Sequence, residues 1–423
     1  MNSEKEAAFQ QAISKQIDKT LVEKSMQPFP EMSLSQLREV LSLTIKHDDL
    51  CKSITFLGML SAYTYDSQLN ISFNAPSSSG KTYITSEVAK LFPAEDKIEI
   101  SGASPTALFY QQGEVDEKLG CRILNLENKI LIFYELPDQK VQERLRATAS
   151  HDSRVQTHFY TNKSKSGANR TDKIAIIGFP AMIFCSASLR INEQEQTREF
   201  LLSPEQSQEK IAAAIELQNK RGTDEHSYNE WLSSQTTRTD LVKRIEAIRD
   251  EKVQYIKLPD TNVFKERFLG SFQQLKERHT RDFTHVQQLA KAIALLNIWY
   301  RKQPNGSYIA TTEDVEAALE LWEQFSESQV IGVPPTVLRF YKDFIIPYYE
   351  ELKASAHAKP PIGFSHEKLS NYYLVKTGTL LNDDTLRKQI VPQLNASGMI
   401  DYRQPEYGDK RSKWIYPKWN VEN

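Results

Sequence analysis

Residues 75 to 82 read A-P-S-S-S-G-K-T, between the apolar run L-N-I-S-F and the amphipathic stretch Y-I-T-S-E-V-A-K-L-F. A strand, a turn of small residues and a helix start gather consecutive backbone N–H groups and the positive end of a helix at one point, which makes an anion site. In such a loop Lys81 reaches the β- and γ-phosphates and the Thr82 hydroxyl ligates Mg²⁺. The expected cradle is Ala75, Pro76, Ser77, Ser78, Ser79, Gly80, Lys81 and Thr82, with ATP and Mg²⁺ as cofactors. Ala75 stands where the pattern asks for Gly, and Ala tolerates the turn only if its φ stays negative.

A second acidic position follows. K-I-L-I-F-Y-E is an apolar strand that delivers Glu135 to its C-terminal end, where a carboxylate can organise Mg²⁺ or polarise water. Tyr134 stands where an Asp is usual. Either Thr82, the phosphates and water hold the metal with Glu135 as base, or Glu135 serves the metal and Asp138 the water. A-M-I-F-C-S-A-S ends a further strand, with Ser186 or Ser188 placed to sense the γ-phosphate or position water. Beyond it, Arg198 in E-Q-T-R-E-F-L-L precedes another strand-like run. Between the strand ending at Glu135 and the strand ending at Ser186, V-Q-T-H-F-Y-T-N-K-S-K-S-G-A-N-R-T-D-K-I-A-I-I-G-F-P reads as a hairpin whose tip carries Lys163, Lys165 and Arg170, suited to a phosphate backbone.

The elements that must hold these residues alternate short apolar runs with helical ones from 69 to about 202. Strands of that kind separated by helices argue for an α/β core with a parallel sheet covered on both faces. Before it, Leu37, Leu41, Ile45, Leu50, Ile54, Leu57 and Leu60 recur at helical spacing. After it come polar helices over 204–250, a short strand at 253–258 and three helical patterns over 262–328. The chain of 423 residues, 39% apolar, is long enough for about two to four domains. It shows no span of ~18 to 20 apolar residues and no signal-peptide layout, so it is expected in the cytoplasm, away from membranes. Cys51, Cys121 and Cys185 lie far apart and read as buried, reduced hydrophobes, with no metal spacing. A net charge of -2 leaves any nucleic-acid role to local basic patches.

In order, the helical preface, phosphate loop, strand with terminal Glu135, basic hairpin, sensor strand, E-x-x-R and helical lid resemble the AAA+ replicative helicases of the minichromosome-maintenance type. More specifically, they look like the helicase modules of bacterial primase-helicases and of mobile-element replication proteins from pathogenicity islands and cassette chromosomes. The resemblance covers roughly residues 40 to 325. It implies a ring, a hexamer with hydrolysis at subunit interfaces, in which Arg198 enters the neighbour's site and the hairpin lysine, Lys163 or Lys165, tracks DNA in the pore. It also implies a lid arginine as second sensor, Arg281, with Arg278 one helical turn away as the substitute. Y-I-A-T-T-E-D-V-E-A-A-L-E-L-W resembles the last lid helix, with Thr312 capping it and Asp314 in its first turn.

At the C-terminus, F-S-H-E-K-L-S-N-Y-Y, D-D-T-L-R-K-Q-I-V-P-Q-L-N-A-S-G and M-I-D-Y-R-Q-P-E-Y-G-D-K-R-S-K-W-I-Y-P-K follow the helix–helix–hairpin order of a winged helix. Arg387, Lys388 and Gln393 are expected on the exposed face of the second helix, with Lys410, Arg411 and Lys413 in the wing. Pro392 should kink or shorten that helix. The expected layout is a helical region at 1–66, an ATPase core at 67–203, a helical lid at 204–330, a helix and linker at 331–363 and a winged helix at 364–423. The expected function is a DNA helicase or translocase of a mobile element, working with a separate primase. A nucleotide-gated DNA-binding switch, motivated by Tyr134, and an ATPase subunit of a mobile-element defence or integration system are the other readings.

Overall fold

The computed structural model describes residues 27–102, 113–117, 120–163, 169–186, 197–259, 262–272, 274–355, 361–406 and 412–418. The helical reading of the first 26 residues therefore lies outside the described residues. The chain enters through α1 (Leu34–Leu41), whose Ser33 and Gln36 form a reciprocal capping box, and α2 (Asp49–Leu60). It then passes into β1 (Asn70–Asn74) and α3 (Lys81–Ala89). There follow β2 (Lys97–Ile100), β3 (Glu114–Asp116), β4 (Cys121–Asn125), β5 (Ile130–Phe133), α4 (Gln139–Ala149), β6 (Val155–Lys163), β7 (Asn169–Ile177), β8 (Ala181–Ser186) and β9 (Phe200–Leu202).

Five of these strands form an all-parallel sheet in the order β2-β5-β8-β1-β9. Alternation divides its side chains between two cores. Ile71, Phe73, Ile130, Ile132, Ile183 and Phe200 join the α2 and α3 side chains in one cluster. Leu131, Phe133, Met182 and Phe184 face the other way, onto Val141 and Leu145 of α4 and onto Leu124, Ile174 and Ile176. Because both faces are buried, the inner strands β5 and β8 are near-continuous apolar runs, whereas the edge strand β2 carries Lys97 and the exposed Glu99. β1 is buried yet partly polar: Asn70, Ser72 and Asn74 face the second side and satisfy one another and their neighbours, as in Ser72 Oγ to Asn74 Oδ1 at 3.0 Å.

The second core is closed by a four-stranded sheet, β3-β4-β7-β6, in which β6 and β7 form the expected hairpin, paired from Val155–Ile177 to Lys163–Asn169. Strands β3 and β4 are additions to the sequence reading. E-V-D is too short to show a period, and C-R-I-L-N mixes a charged residue into its apolar run.

Helices α5 (Gln208–Thr223), α6 (Glu225–Ser233) and α7 (Thr236–Asp250) follow. Next come β10 (Ile256–Lys257), α8 (Asn262–Gly270), α9 (Arg278–Leu296), α10 (Ile298–Arg301), β11 (Tyr308–Ile309), α11 (Thr312–Glu323) and α12 (Ser326–Ile331). The expected strand at 253–258 is present as β10, two residues paired in parallel with β11. Leu241 and Ile245 of α7, Val286 and Leu289 of α9 and Trp322 of α11 belong to the same cluster as Ile54 and Ile71, so the lid helices continue the first core. Arg244, 1% exposed, ties them together through Leu296 O at 2.8 Å, Asn297 Oδ1 and Pro30 O. The N-cap of α11 is Thr311 rather than Thr312, with a capping box to Asp314. With two threonines in succession, the one left in extended backbone takes the cap.

A separate core holds the C-terminal unit, from Val333 to Ile415. It contains α13 (Pro335–Phe340), a π-helical turn over Tyr341–Ile345, α14 (Ile346–Lys353), α15 (His366–Thr377), α16 (Asp383–Thr385), a second π-helical turn over Leu386–Ile390, α17 (Val391–Ala396) and the antiparallel hairpin β12 (Ile400–Arg403) and β13 (Trp414–Pro417). Pro392 sits in the first turn of α17, directly after the second π-helical turn. Among the described residues no helix is long and apolar enough to cross a membrane.

Candidate functional site

The phosphate-loop sequence occupies the C-terminal end of β1. After Asn74 the chain turns through residues 75–80 and enters α3 at Lys81, with Gly80 as N-cap at φ +98°. Ser78 also has positive φ, +63°, whereas Ala75 does not, so Ala at the first position costs the turn nothing. The left-handed residues in the loop fold its peptide units around the helix N-terminus, as an anion cradle requires. Ala75 is fully buried and Thr82 is exposed.

Lys81 is 7% exposed and bends back over the loop, donating to Ala75 O and Pro76 O at 2.7 Å each and to Ser79 Oγ at 3.5 Å. Burial holds its ammonium below the ordinary lysine range. An ammonium resting on three neutral acceptors inside a ring of amides fits a triphosphate, whose oxygens would replace those carbonyls. Among the described residues no group of three or more His, Cys, Asp or Glu is placed to hold a metal ion. Thr82, in the first turn of α3, could hold a Mg²⁺, an ion that dehydrates reluctantly, together with phosphate oxygens and water.

Neighbouring strands supply the walls. Ser186, last residue of β8 and 1% exposed, lies in register with Asn74. Beneath the loop, the Cys185 thiol meets Thr85 Oγ1 at 3.4 Å, and burial raises its pKa. Glu135 is exposed just beyond β5, which β8 separates from β1. The Tyr134 hydroxyl donates to Glu99 Oε2 at 2.7 Å, and burial together with that carboxylate pushes its pKa up. Asp138 caps α4 through the Lys140 N–H at 2.9 Å.

Two arginines stand elsewhere. Phe200 pairs with Ile71, which sets Arg198 level with the start of β1, about six residues or roughly 20 Å of extended chain below Ala75. Arg198 Nε donates to Ser150 Oγ at 2.6 Å, at the lower end of α4. Arg281 is bonded to Thr197 Oγ1 at the same end. It therefore lies beside Arg198, away from the Lys81 loop of its own chain. Arg278, its substitute, is engaged with Asp282 Oδ2 at 3.2 Å and Gln329 Oε1 at 3.0 Å.

Of the DNA-directed residues, Lys163 ends β6, while Lys165, Lys410 and Arg411, like Ser188, lie outside the described residues. Arg387 and Lys388 are exposed, and each pairs one turn back, with Asp383 at 3.0 Å and Asp384 at 2.9 Å. Lys413 lies 5.5 Å over the Tyr402 ring. Gln393 is half-buried, with Oε1 enclosed and Nε2 on Gln389 O at 3.1 Å, so it does not join the exposed face.

Two contacts on the loop were not read from the sequence. Ser203 Oγ donates to Asn74 O at 2.7 Å, and Lys210 reaches Ser79 O at 3.0 Å. A serine after a strand and a lysine in a helix's first turn carry no local signal of such a role.

Residues 32–235 match the family described as MTBMA_p00010 P-loop domain. No curated protein matches the chain. The match spans β1, the loop, all five strands of the parallel sheet and α5–α6, so this part of the chain is a P-loop NTPase domain, an α/β core with the capacity to bind nucleotide.

Proposed function

We propose that the chain is an ATP hydrolase of the AAA+ type, minichromosome-maintenance-like, which forms a ring and moves along DNA in the replication of a mobile element. The observation that carries the reading is the opposition of Lys81 and Arg198 across the length of one sheet. An arginine roughly 20 Å from its own phosphate loop can neutralise transition-state charge only at another copy's loop. Support also comes from the insertion of β8 between β1 and β5, which sets Glu135 one strand removed from the strand that carries the loop. In this reading ATP supplies the phosphoryl bond that is cut. Glu135 accepts the proton of the attacking water, Ser186 orients it, Lys81 and the loop amides hold the phosphates, and the neighbour's Arg198 faces the developing charge.

The β6–β7 hairpin, with Lys163 and Lys165 near its apex, is the proposed grip on single-stranded DNA. The C-terminal unit is proposed as a winged helix that recruits the ring, and a separate chain would supply primase activity. Arg198→Ala should lower ATP turnover about a hundredfold or more while leaving nucleotide affinity intact. Mixing it with Glu135→Gln subunits should restore part of the turnover, and confirmed co-assembly without recovery would remove the trans assignment. A nucleotide-gated DNA switch is the second reading, favoured by the Tyr134–Glu99 hydrogen bond at the place of a usual metal acid. ATP binding with no strand separation on a forked duplex would select it.

A further inference from the structure

A second lysine stands on the outer side of the phosphate loop. Lys210, in the first turn of α5, directs its ammonium to Ser79 O at 3.0 Å, Glu205 O at 2.9 Å and Asp48 Oδ2 at 2.6 Å. The Asp48 side chain is 1% exposed, and its other oxygen accepts the Glu205 N–H at 2.6 Å. His47 and Asp48 both have φ of +55°, left-handed backbone that non-glycine residues keep only where their surroundings impose it. A Cβ on Gly80 would lie 3.6 Å from the Lys210 ammonium, so the cation rests against the last residue before α3. Separate segments of the chain are thus tied, by one ion pair whose carboxylate is buried, to the loop that would hold phosphate.

The geometry of the peptide bond gives this contact a direction. Ser79 C=O and Gly80 N–H belong to one trans peptide plane and point opposite ways. A cation that fixes the carbonyl outward fixes the amide inward, toward the cradle. We infer that Lys210, held by Asp48, is a positioning residue for nucleotide binding, setting the Ser79–Gly80 peptide so that the Gly80 N–H faces the phosphates. The inference rests on the nucleotide reading of the Lys81 loop. The gain is preorganisation: the loop does not have to order itself when the anion arrives.

Titration of ATP with Mg²⁺ into the full-length chain tests it. Lys210→Met keeps the aliphatic stem and should weaken affinity roughly tenfold, with kcat within about twofold. Lys210→Arg should recover most of the loss. Asp48→Asn, which keeps an acceptor for the Glu205 amide, should weaken binding in the same direction, and the double variant should be no weaker than Lys210→Met alone. In the unaltered chain, bound ATP should slow hydrogen exchange of the Glu205 amide, a readout that survives if a variant folds poorly. Unaltered affinity in Lys210→Met, additive losses in the double variant, or a Glu205 amide indifferent to ATP would overturn the inference. If the unaltered chain fails to bind ATP, the nucleotide reading falls first and takes this inference with it.

Discussion

The two ends of the parallel sheet are built differently. At the C-terminal end, around the phosphate loop, two lysines converge on loop carbonyls from inside and outside, and a buried carboxylate fixes one of them. At the N-terminal end, Arg198 and Arg281 reach the hydroxyls of Ser150 and Thr197. A pair that satisfies a buried carboxylate is costly to break, whereas a guanidinium bonds more weakly to a hydroxyl than to a carboxylate or phosphate. The first end is made to hold one geometry; the second carries two arginines that rest on hydroxyls.

The largest expected effect lies at the loop. Lys81→Ala should cut kcat/KM for ATP by about a hundredfold or more, with no comparable change in melting temperature. An unchanged rate would erase the contrast at once. Gly178→Ala attacks the fold at the other end. Gly178 has φ +86°, and an added Cβ would lie 2.5 Å from Glu127 Cγ and 2.8 Å from Glu127 N. A destabilisation of roughly 3 kcal/mol or more is expected in chemical denaturation, because backbone cannot move aside as a side-chain tip can.

A pH effect belongs to the same end. His151 packs edge-on against Phe179 and contacts Gln68 Oε1 at 3.1 Å, and burial lowers its pKa to about 4. The folded state therefore prefers the neutral ring. Its contribution to stability is complete above the unfolded value near 6.5 and is lost as pH falls toward 4, amounting to roughly 3 kcal/mol once protonated in both states. Melting temperatures from pH 7 to 4 should fall less steeply in His151→Gln than in the unaltered chain. The smallest effect is expected away from both ends: Thr311→Ala removes one half of a capping box and should cost about 1 kcal/mol, with ATP affinity unchanged.

The sequence made one of these ends far more legible than the other. Strands buried on both faces must be apolar throughout, so β5 and β8 announce themselves, and a small-residue loop before a helix marks where they point. The place of Arg281 is not legible in the sequence, because a position at a helix start says nothing about which end of a sheet the helix begins beside. The Asp48–Lys210 pair joins residues far apart in the chain, and each is locally an ordinary surface-type charge. Gln393 looked exposed on an ideal helical period, but the wider turn over Leu386–Ile390 shifts the phase of everything after it. Strand β3, three residues long, offered no period to read.

Those wider turns come as a pair, each starting six residues before a proline: Tyr341 before Pro347 and Leu386 before Pro392. In each, the N–H just ahead of the proline reaches five residues back, Ile346 to Tyr341 and Val391 to Leu386. The extra residue in the coil swings the backbone oxygens clear of a ring that has no hydrogen to offer them. A single-residue deletion in either stretch would restore an ordinary spiral and at the same time drive the pyrrolidine into it. Length and imino acid are thus bound together at these two places, and a lineage could shed one only by shedding the other.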